Sequence, residues 1–267
     1  MKFKGLTFAA VALLAATGFA GCAGGSDKGE KGGQSETTTQ TPGKETPSEA
    51  PEVATPVKIS YMLVNTNGLN IRAGAGTDYS VRGTAEKSTL YPIEGQSGDW
   101  YKCWFRNKES YISKKYTSVT TFAAADEKIE RVIEEGGKLL GTPYVYGATR
   151  YMDGKGNRIS GFSTDKFDCS SLMQYIFYKG AGKVLDVNTR TQVSQGQEVK
   201  AADIKRGDLL FFTNASRKNL SGTERIGHVA LYLGNNYILH TASDYAKIEQ
   251  ISSTRWGYFV TARRMIA

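Results

Sequence analysis

Between Val57 and about Thr121, the hydrophobic positions fall in short β-branched or aromatic runs that are separated by glycine-rich turns. Several such runs within about 65 residues are typical of a small all-β barrel. The predicted strands are Lys58 to Val64, Gly68 to Arg72, Thr89 to Ile93, Trp100 to Phe105 and Tyr111 to Ile112.

Two later segments carry apolar residues at helical spacing. The first runs from Ala125 to Leu140 and meets Gly141-Thr142-Pro143, which predicts its end. In the second, Asp168 is a typical N-cap, an apolar stripe follows it, and Gly180 is typical of a C-terminal stop. The second helix is therefore predicted to begin at Cys169.

Apolar runs on both sides of Gly234-Asn235-Asn236 predict a β-hairpin. If these three residues form the loop, Leu233 pairs with Tyr237, and His228 and His240 lie on one face of the sheet. A two-residue loop would place His240 on the opposite face. The two histidines of the chain can therefore be neighbours, although two unrelated structural histidines remain an alternative.

The N-terminus has the pattern of an export signal. Two lysines precede an apolar run from Leu6 to Ala20, which is shorter than the roughly 20 residues of a membrane-spanning helix. The run ends in Phe19-Ala20-Gly21-Cys22, which resembles the lipobox of bacterial lipoproteins, where the cysteine is lipidated and becomes the N-terminus. We expect residues 1–22 to be a lipoprotein signal; an ordinary signal peptide is the alternative.

Residues 23–56 have no aromatic residue and contain four of the six prolines of the chain. This composition cannot bury a core and predicts a disordered tether. The barrel is expected over residues 57–121 and the helical and strand segments over residues 122–267.

Charge and composition narrow the function. The net charge is +8, which favours anionic surroundings such as cell wall, lipid or nucleic acid. An exported chain does not meet nucleic acid, and no base-reading motif is present. Three cysteines and two histidines exclude a disulfide scaffold and a zinc cage built from these residues alone, and we expect no metal or cofactor.

The cysteine at the predicted helix start is the candidate nucleophile. Free backbone N–H groups and the helix dipole there favour a thiolate, which would lower the pKa of Cys169 from about 8.5. They can also donate to an oxyanion. A helix-borne cysteine followed by histidines on strands is the papain-type arrangement, in which His228 takes the thiol proton and His240 orients it. Cys103 is predicted to be a buried thiol without a disulfide to Cys169.

Two resemblances support this interpretation. The barrel segment resembles the bacterial SH3-like domain, which implies that it positions an enzyme on peptidoglycan or walls off one side of its cleft. The matching residues are Gly68 to Tyr79, Gly83 and Gly98-Asp99-Trp100-Tyr101-Lys102-Cys103.

Five segments of the second domain match one family: Gly141 to Gly147, Phe167-Asp168-Cys169-Ser170, Arg206 to Phe212, Gly227 to Gly234 and His240. On these residues the domain resembles the NlpC-type family of bacterial cell-wall cysteine peptidases. The resemblance implies an α+β fold for the chain, with a papain-like catalytic domain after the small barrel. By this resemblance Cys169 is the nucleophile, His228 the base and His240 the third polar residue.

The resemblance also implies substrate-binding roles. Tyr144 would lend its hydroxyl to the oxyanion site, and Asp168 with Ser170 would hold the amino group of the substrate. Aromatic packing for Tyr144 and helix capping alone for Asp168 are the alternatives. The segment Ala148 to Lys166 is longer than is usual in the family; we expect it to border the cleft, to contain a turn at Asp153 to Asn157 and to alter which stem peptides are accepted.

The resemblance thus implies a peptidoglycan endopeptidase that cleaves the bond between γ-linked D-glutamate and a diamino acid. A D,D-endopeptidase of cross-links and a catalytically silent wall-binding lipoprotein are the alternatives. The expected protein is an exported monomer, anchored by lipid to the bacterial cell membrane or outer membrane, and it faces the cell wall.

Overall fold

The computed structural model describes residues 57–266. The predicted signal with its lipobox Cys22 and the predicted tether lie outside the described residues. Within residues 57–266, no helix is both long enough and apolar enough to cross a membrane.

The first part of this region is all-β, as predicted. Its strands form one sheet in the order β4-β1-β8 and a second in the order β3-β2-β7-β6-β5, and every pairing is antiparallel. The strands are β1 (Lys58–Val64), β2 (Leu69–Arg72), β3 (Val81–Ala85), β4 (Leu90–Pro92), β5 (Gly95–Ser97), β6 (Trp100–Phe105), β7 (Lys108–Ser113) and β8 (Thr117–Ala123). Strands β3, β5 and β8 were not predicted, and the expected domain boundary at residue 121 falls inside β8.

The second part is a six-stranded antiparallel sheet with helices. The strand order is β13-β12-β11-β10-β14-β9. The elements are α1 (Glu127–Lys138), α2 (Cys169–Ala181), α3 (Thr189–Gln192), β9 (Gln197–Val199), β10 (Leu209–Phe212), β11 (His228–Gly234), β12 (Tyr237–Thr241), β13 (Ala246–Gln250), α4 (Ser253–Trp256) and β14 (Phe259–Arg264). Side chains alternate between the faces, so Val229 and Leu231 pack with α1 and α2, while Ala230 packs in a second cluster on the opposite face. The predicted α+β class is therefore confirmed.

Helix α2 begins where the sequence places it. The Asp168 carboxylate accepts the Ser171 N–H, and the Ser171 hydroxyl accepts the Asp168 N–H, which completes a capping box. The expected stop at Gly180 is wrong, because the helix continues to Ala181 and Gly182 caps it with a φ of 66°. Gly180 instead allows close helix packing: a Cβ there would lie 2.4 Å from the backbone nitrogen of Val132 in α1.

The β11–β12 hairpin has the expected register at the histidines, although its turn differs from the predicted one. Asn235 and Asn236 form a two-residue turn, both with positive φ, so the predicted three-residue loop is wrong. Gly234 pairs with Tyr237, but the register shifts by one residue before Tyr232 pairs with Ile238. The irregularity supplies the residue that a two-residue loop lacks. The two histidines therefore lie on one face after all.

The turn that the sequence predicts at Asp153 to Asn157 is present, and it is flanked by a single β-bridge. A single bridge joins Met152 to Arg158, and the Asp153 N–H donates to the Asn157 carbonyl. The Asp153 carboxylate also accepts the backbone N–H groups of Lys155 and Asn157, which stabilises the turn.

Both parts share one hydrophobic core, which includes Tyr61 and Phe122 of the first part and Leu233 of the second. The Arg206 side chain connects them further. Its guanidinium forms two hydrogen bonds with the Glu130 carboxylate, each 2.7 Å long, and donates to the Tyr61 hydroxyl at 2.9 Å. The first domain is therefore packed against the second as a fixed part of the structure.

Candidate active site

Cys169 occupies the first position of α2 and is 8% exposed. The nearby backbone N–H groups of Val229 and Ser170 act to lower the pKa of its thiol. Burial nevertheless raises the thiol pKa to about 12, and the neighbouring Asp168 carboxylate adds to the rise, so that the two N–H groups compensate only in part. The expected lowering of this pKa is therefore wrong for the unliganded site, because the helix terminus is buried rather than open to water.

His228, His240 and Glu249 form a hydrogen-bonded line across three neighbouring strands. Nε2 of His228 lies 3.0 Å from Nδ1 of His240, and Nε2 of His240 lies 2.9 Å from Oε1 of Glu249. His240 is 1% exposed, and Glu249 lies on β13 diagonally across from it, because Ile238 pairs with Glu249. The structure brings together the two predicted histidines and adds a carboxylate that the sequence analysis missed.

The charge state of Glu249 determines where the protons of this line lie. Burial by itself raises the pKa of Glu249, but the His240 hydrogen bond and the nearby cations hold it at about 2. An ionised carboxylate can only accept, so Nε2 of His240 carries the proton and Nδ1 does not. Nδ1 of His240 then accepts from Nε2 of His228, and this leaves a free lone pair on Nδ1 of His228.

Both histidines are neutral at physiological pH. Burial lowers the pKa of His228 well below its usual value, and the neighbouring His240 ring and the Arg255 guanidinium lower it further. Burial also lowers the pKa of His240, although the Glu249 hydrogen bond opposes that effect. The two imidazoles are therefore a neutral proton acceptor next to the negative charge of Glu249.

The thiol and the first imidazole lie at the same end of β11. The backbone N–H of Val229, the residue that follows His228 in the strand, is near enough to the Cys169 sulfur to lower the pKa of the thiol. Gly227 lines both the cavity that contains Cys169 and the cavity that contains His228. Among residues 57–266, no hydrogen bond joins the thiol to an imidazole. The thiol of Cys169 and the imidazole of His228 are therefore both neutral in this structure, whereas the sequence analysis expected an ion pair.

Asp168 and Ser170 are both paired within the protein. Asp168 Oδ1 accepts from Ser171 N and from the Ser170 hydroxyl, at 2.8 and 3.0 Å. Its Oδ2 lies 2.8 Å from Nη1 of Arg150, whose Nη2 donates to the Ser170 hydroxyl at 3.1 Å. Arg150 belongs to the long segment 148–166, so this segment does border the cleft. The carboxylate that would hold a substrate amine is here neutralised by an arginine.

The cavity on the sulfur side is small and positively charged. Its volume is about 160 Å³. Three arginines and one aspartate contribute charged side chains to its lining: Arg150, Arg190, Arg217 and Asp168. Tyr144 lines the same cavity, and burial together with the nearby Cys169 and Asp168 raises the pKa of its phenol, so its hydroxyl remains a hydrogen-bond donor.

Cys103 is fully buried in the first domain, and both Cys103 and Cys169 are free thiols. The expectation that they form no disulfide is confirmed. Glu249 and Arg150 had no comparable signal in the sequence. The polar and apolar alternation of Ala246 to Gln250 could have predicted a strand, but not its register beside His240.

The site combines a helix-borne cysteine with a strand-borne histidine pair in an α+β domain that follows a small β domain. Comparison with known proteins agrees with this class. Residues 141–265 match the NlpC/P60 family, and residues 67–118 match the bacterial SH3 domain. The C-terminal part of the chain is therefore an NlpC/P60 domain, and it is preceded by a bacterial SH3 domain.

Two curated relatives from Bacillus subtilis (strain 168) show the range of similarity. The gamma-D-glutamyl-L-lysine dipeptidyl-peptidase is 34% identical over 170 residues, which is 64% of this chain and 50% of that protein. The gamma-DL-glutamyl hydrolase is 29% identical over 159 residues, which is 59% of this chain and 34% of that protein. The chain thus spans between a third and a half of these relatives. An NlpC/P60 family crystal structure from Bacillus cereus ATCC 10987 is 20% identical, covers 78% of this chain and 64% of its own, and has a TM-score of 0.42.

Proposed function

We propose that the protein is a cysteine endopeptidase that hydrolyses the stem peptides of peptidoglycan. The observation that carries the proposal is the hydrogen-bonded line from Glu249 through His240 to His228, together with the approach of the Cys169 sulfur to Val229, the residue that follows His228. In a catalytically inactive domain, a carboxylate that fixes the tautomers of two buried histidines would have no function.

In the proposed reaction, Nδ1 of His228 takes the proton of the Cys169 thiol as the sulfur attacks the substrate amide carbon. His240 stabilises the imidazolium that forms, and Glu249 stabilises it at longer range. The imidazolium then gives its proton to the leaving amine, and a thioester remains on Cys169. His228 next takes a proton from water, whose oxygen attacks the thioester carbon. The bond from carbon to sulfur breaks, the acid is released, and the imidazolium returns its proton to the Cys169 sulfur.

The oxyanion of each tetrahedral intermediate would lie at the start of α2. The backbone N–H of Cys169 itself lies there, and the helix dipole favours a negative charge. We assign the Tyr144 hydroxyl as a further donor, because it stays protonated and lines the same cavity.

The favoured bond is the amide between γ-linked D-glutamate and a diamino acid. A γ-linked glutamate keeps a free α-carboxylate. The cavity on the sulfur side is lined by three arginines and one aspartate, and Glu224 pairs with both Arg190 and Arg217, so one positive charge is left in excess. The two relatives described above are named for hydrolysis at γ-glutamyl groups. Because Arg150 already neutralises Asp168, we propose that Asp168 and Ser170 shape this cavity and do not bind a free amino group.

A catalytically silent wall-binding protein is the second candidate. The observation in its favour is the thiol pKa of about 12, which leaves almost no thiolate at neutral pH. In the catalytic proposal, the thiol is deprotonated only when substrate is bound, with His228 as the acceptor.

We further propose that the protein is exported and lipid-anchored through Cys22, with residues 23–56 as a tether. The sequence supports this through the lipobox resemblance and the tether composition. Metabolic labelling with an alkyne fatty acid is expected to modify the wild type and not the Cys22→Ala variant. Equal labelling of both would refute the anchor.

The central test is digestion of purified muropeptides by the full-length protein, with product masses determined by chromatography and mass spectrometry. Cleavage between γ-D-glutamate and the diamino acid is expected, and Cys169→Ala is expected to abolish it. Cleavage at a D-alanyl cross-link would change the bond but keep the mechanism. Absence of products from every muropeptide, or equal products from Cys169→Ala, would favour the silent wall-binding protein.

A further inference from the structure

The reacting groups lie between two cavities. The smaller one, on the sulfur side, is lined by Cys169 and Tyr144. The larger one has a volume of about 350 Å³ and is lined by His228. Gly227 contributes to both linings, so the scissile bond of a bound substrate would lie at the boundary between the cavities.

The direction of the substrate follows from the chemistry of the proposed reaction, on which this inference rests. The acyl carbon becomes bonded to the sulfur, so the acyl part belongs on the side of Cys169. The leaving amine receives its proton from His228, so the amine part belongs in the larger cavity.

The larger cavity has one permanently charged side chain. Apart from His228, its lining consists of Arg255 together with aromatic and small polar or apolar residues: Phe212, Thr213, Asn214, Gly227, Ala242, Ser252, Thr254 and Tyr258. No carboxylate contributes to this lining. The cavity is therefore unfavourable for an ammonium group and favourable for an anion.

Arg255 is held in place from several sides. It belongs to the short helix α4, whose N-cap Ser252 accepts the Arg255 N–H at 3.2 Å. Nη2 of Arg255 lies 3.3 Å from Glu249, and the guanidinium lies over the Phe212 ring at 6.0 Å. One guanidinium edge is thus engaged, while the side chain is still 26% exposed toward the cavity that it lines.

We propose that the larger cavity is the subsite for the amine-side residue of the substrate and that Arg255 selects a residue with a side-chain carboxylate. Among diamino acids, meso-diaminopimelate carries such a carboxylate beside its second amine, and lysine does not. A bidentate or charge-assisted contact with a guanidinium would hold this group.

Three peptides of the form L-Ala-γ-D-Glu-X-D-Ala amide test the proposal with the full-length protein. X is meso-diaminopimelate, its side-chain amide or L-lysine. The carboxylate is expected to raise kcat/KM about tenfold to a hundredfold over the other two, as one charge-assisted hydrogen bond would. A tripeptide ending in L-lysine separates the side-chain carboxylate from a free main-chain carboxylate. If that tripeptide recovers the gain, the side-chain assignment is overturned.

Substitutions of Arg255 test whether this side chain causes the preference for the carboxylate peptide. Arg255→Gln is expected to reduce the preference for the carboxylate peptide to less than about threefold, and Arg255→Lys to restore part of it. Arg263→Gln is the matched control, because Arg263 also forms a partly exposed ion pair but lines neither cavity. The ratio between peptides is the decisive readout, because loss of the Glu249 contact would slow all peptides equally.

The outcomes are distinguishable. Similar kcat/KM for all three peptides, or a preference that Arg255→Gln leaves unchanged, overturns the subsite while the endopeptidase proposal stands. If the wild type cleaves none of the peptides, the endopeptidase proposal is overturned, and the assignment of the subsite is overturned with it. If Arg255→Gln has a lowered melting temperature, the wild-type comparison and Arg255→Lys still decide.

Discussion

Replacement of Glu249 by glutamine tests the hydrogen-bonded line most directly. The substitution keeps the size of the side chain and removes its charge. Glutamine can also donate from its amide to Nε2 of His240, which would turn Nδ1 of His240 into a donor. His228 would then have to place its own proton on Nδ1, where the thiol proton has to be received.

The expected magnitude follows from the geometry. The two hydrogen bonds of 3.0 and 2.9 Å, with one imidazole ring between them, place the carboxylate about 8 Å from the His228 ring, where an interaction is worth about 2 kcal/mol at an effective dielectric constant near 20. Arg255 and Lys247 share the Glu249 charge, at 3.3 and 4.0 Å, which reduces the effect to about 1 kcal/mol. A loss of about 1 kcal/mol slows the reaction about fivefold, and the mixture of tautomers slows it by a further factor of about two. We therefore expect kcat/KM to fall about tenfold.

The assay is cleavage of a stem peptide between pH 5 and 9, with melting temperatures measured in parallel. Loss of the carboxylate lowers the pKa of His228, so the acid limb of the kcat/KM profile should move to lower pH. Glu198→Gln is the control, because Glu198 forms only a loose ion pair on β9 at 3.7 Å. A Glu249→Gln variant with kcat/KM within twofold of the wild type and an unmoved acid limb would refute the assigned tautomers.

Alkylation of Cys169 by iodoacetamide at pH 7 should be at least about a hundredfold slower than that of a free cysteine, because burial raises its pKa to about 12; rapid labelling detected by peptide mass would contradict this. Arg206→Ala should lower the free energy of unfolding by about 2–3 kcal/mol in urea titrations, because it leaves the Glu130 carboxylate without its partner, while the exposed Lys128→Ala on α1 should change it by less than about 0.5 kcal/mol. Since burial lowers the pKa of His228 and His240, the unfolded chain binds more protons below about pH 6.5, and the free energy of unfolding should fall with decreasing pH by up to about 1.4 kcal/mol per unit for each histidine. A constant free energy of unfolding between pH 7 and 5 would be inconsistent with buried, neutral histidines.

Local patterns were sufficient to place the cysteine but not the pairing of the histidines. The capping signal at Asp168 predicted the start of α2. His228 and His240 share a face because a register shift between Tyr232 and Gly234 compensates for the two-residue turn, and the sequence did not predict that shift. The protonation states required more. A helix start predicts a lowered thiol pKa, but the burial of Cys169 depends on tertiary packing and reverses the direction.

The same limit explains the missed residues. Glu249 follows a loop whose length does not fix the register of β13 against β12, so its neighbour His240 cannot be read from spacing. Arg150 lies in a segment with only one β-bridge, at Met152, and without a helix, where periodicity carries no information.

The SH3 domain contributes to the geometry of the active site in a way that the family resemblance did not imply. Gly141, three residues before Tyr144, has a φ of 83°, and a Cβ there would lie 2.0 Å from the Phe105 ring of the first domain. Arg106, at the turn between β6 and β7, donates its backbone N–H to the Leu140 carbonyl and its Nε to the Gly141 carbonyl, each at 2.8 Å. The start of the Tyr144 segment is therefore held by both domains. Because the two domains also share one core, separation of the catalytic domain would both expose apolar surface and release one end of the segment that positions the proposed oxyanion donor.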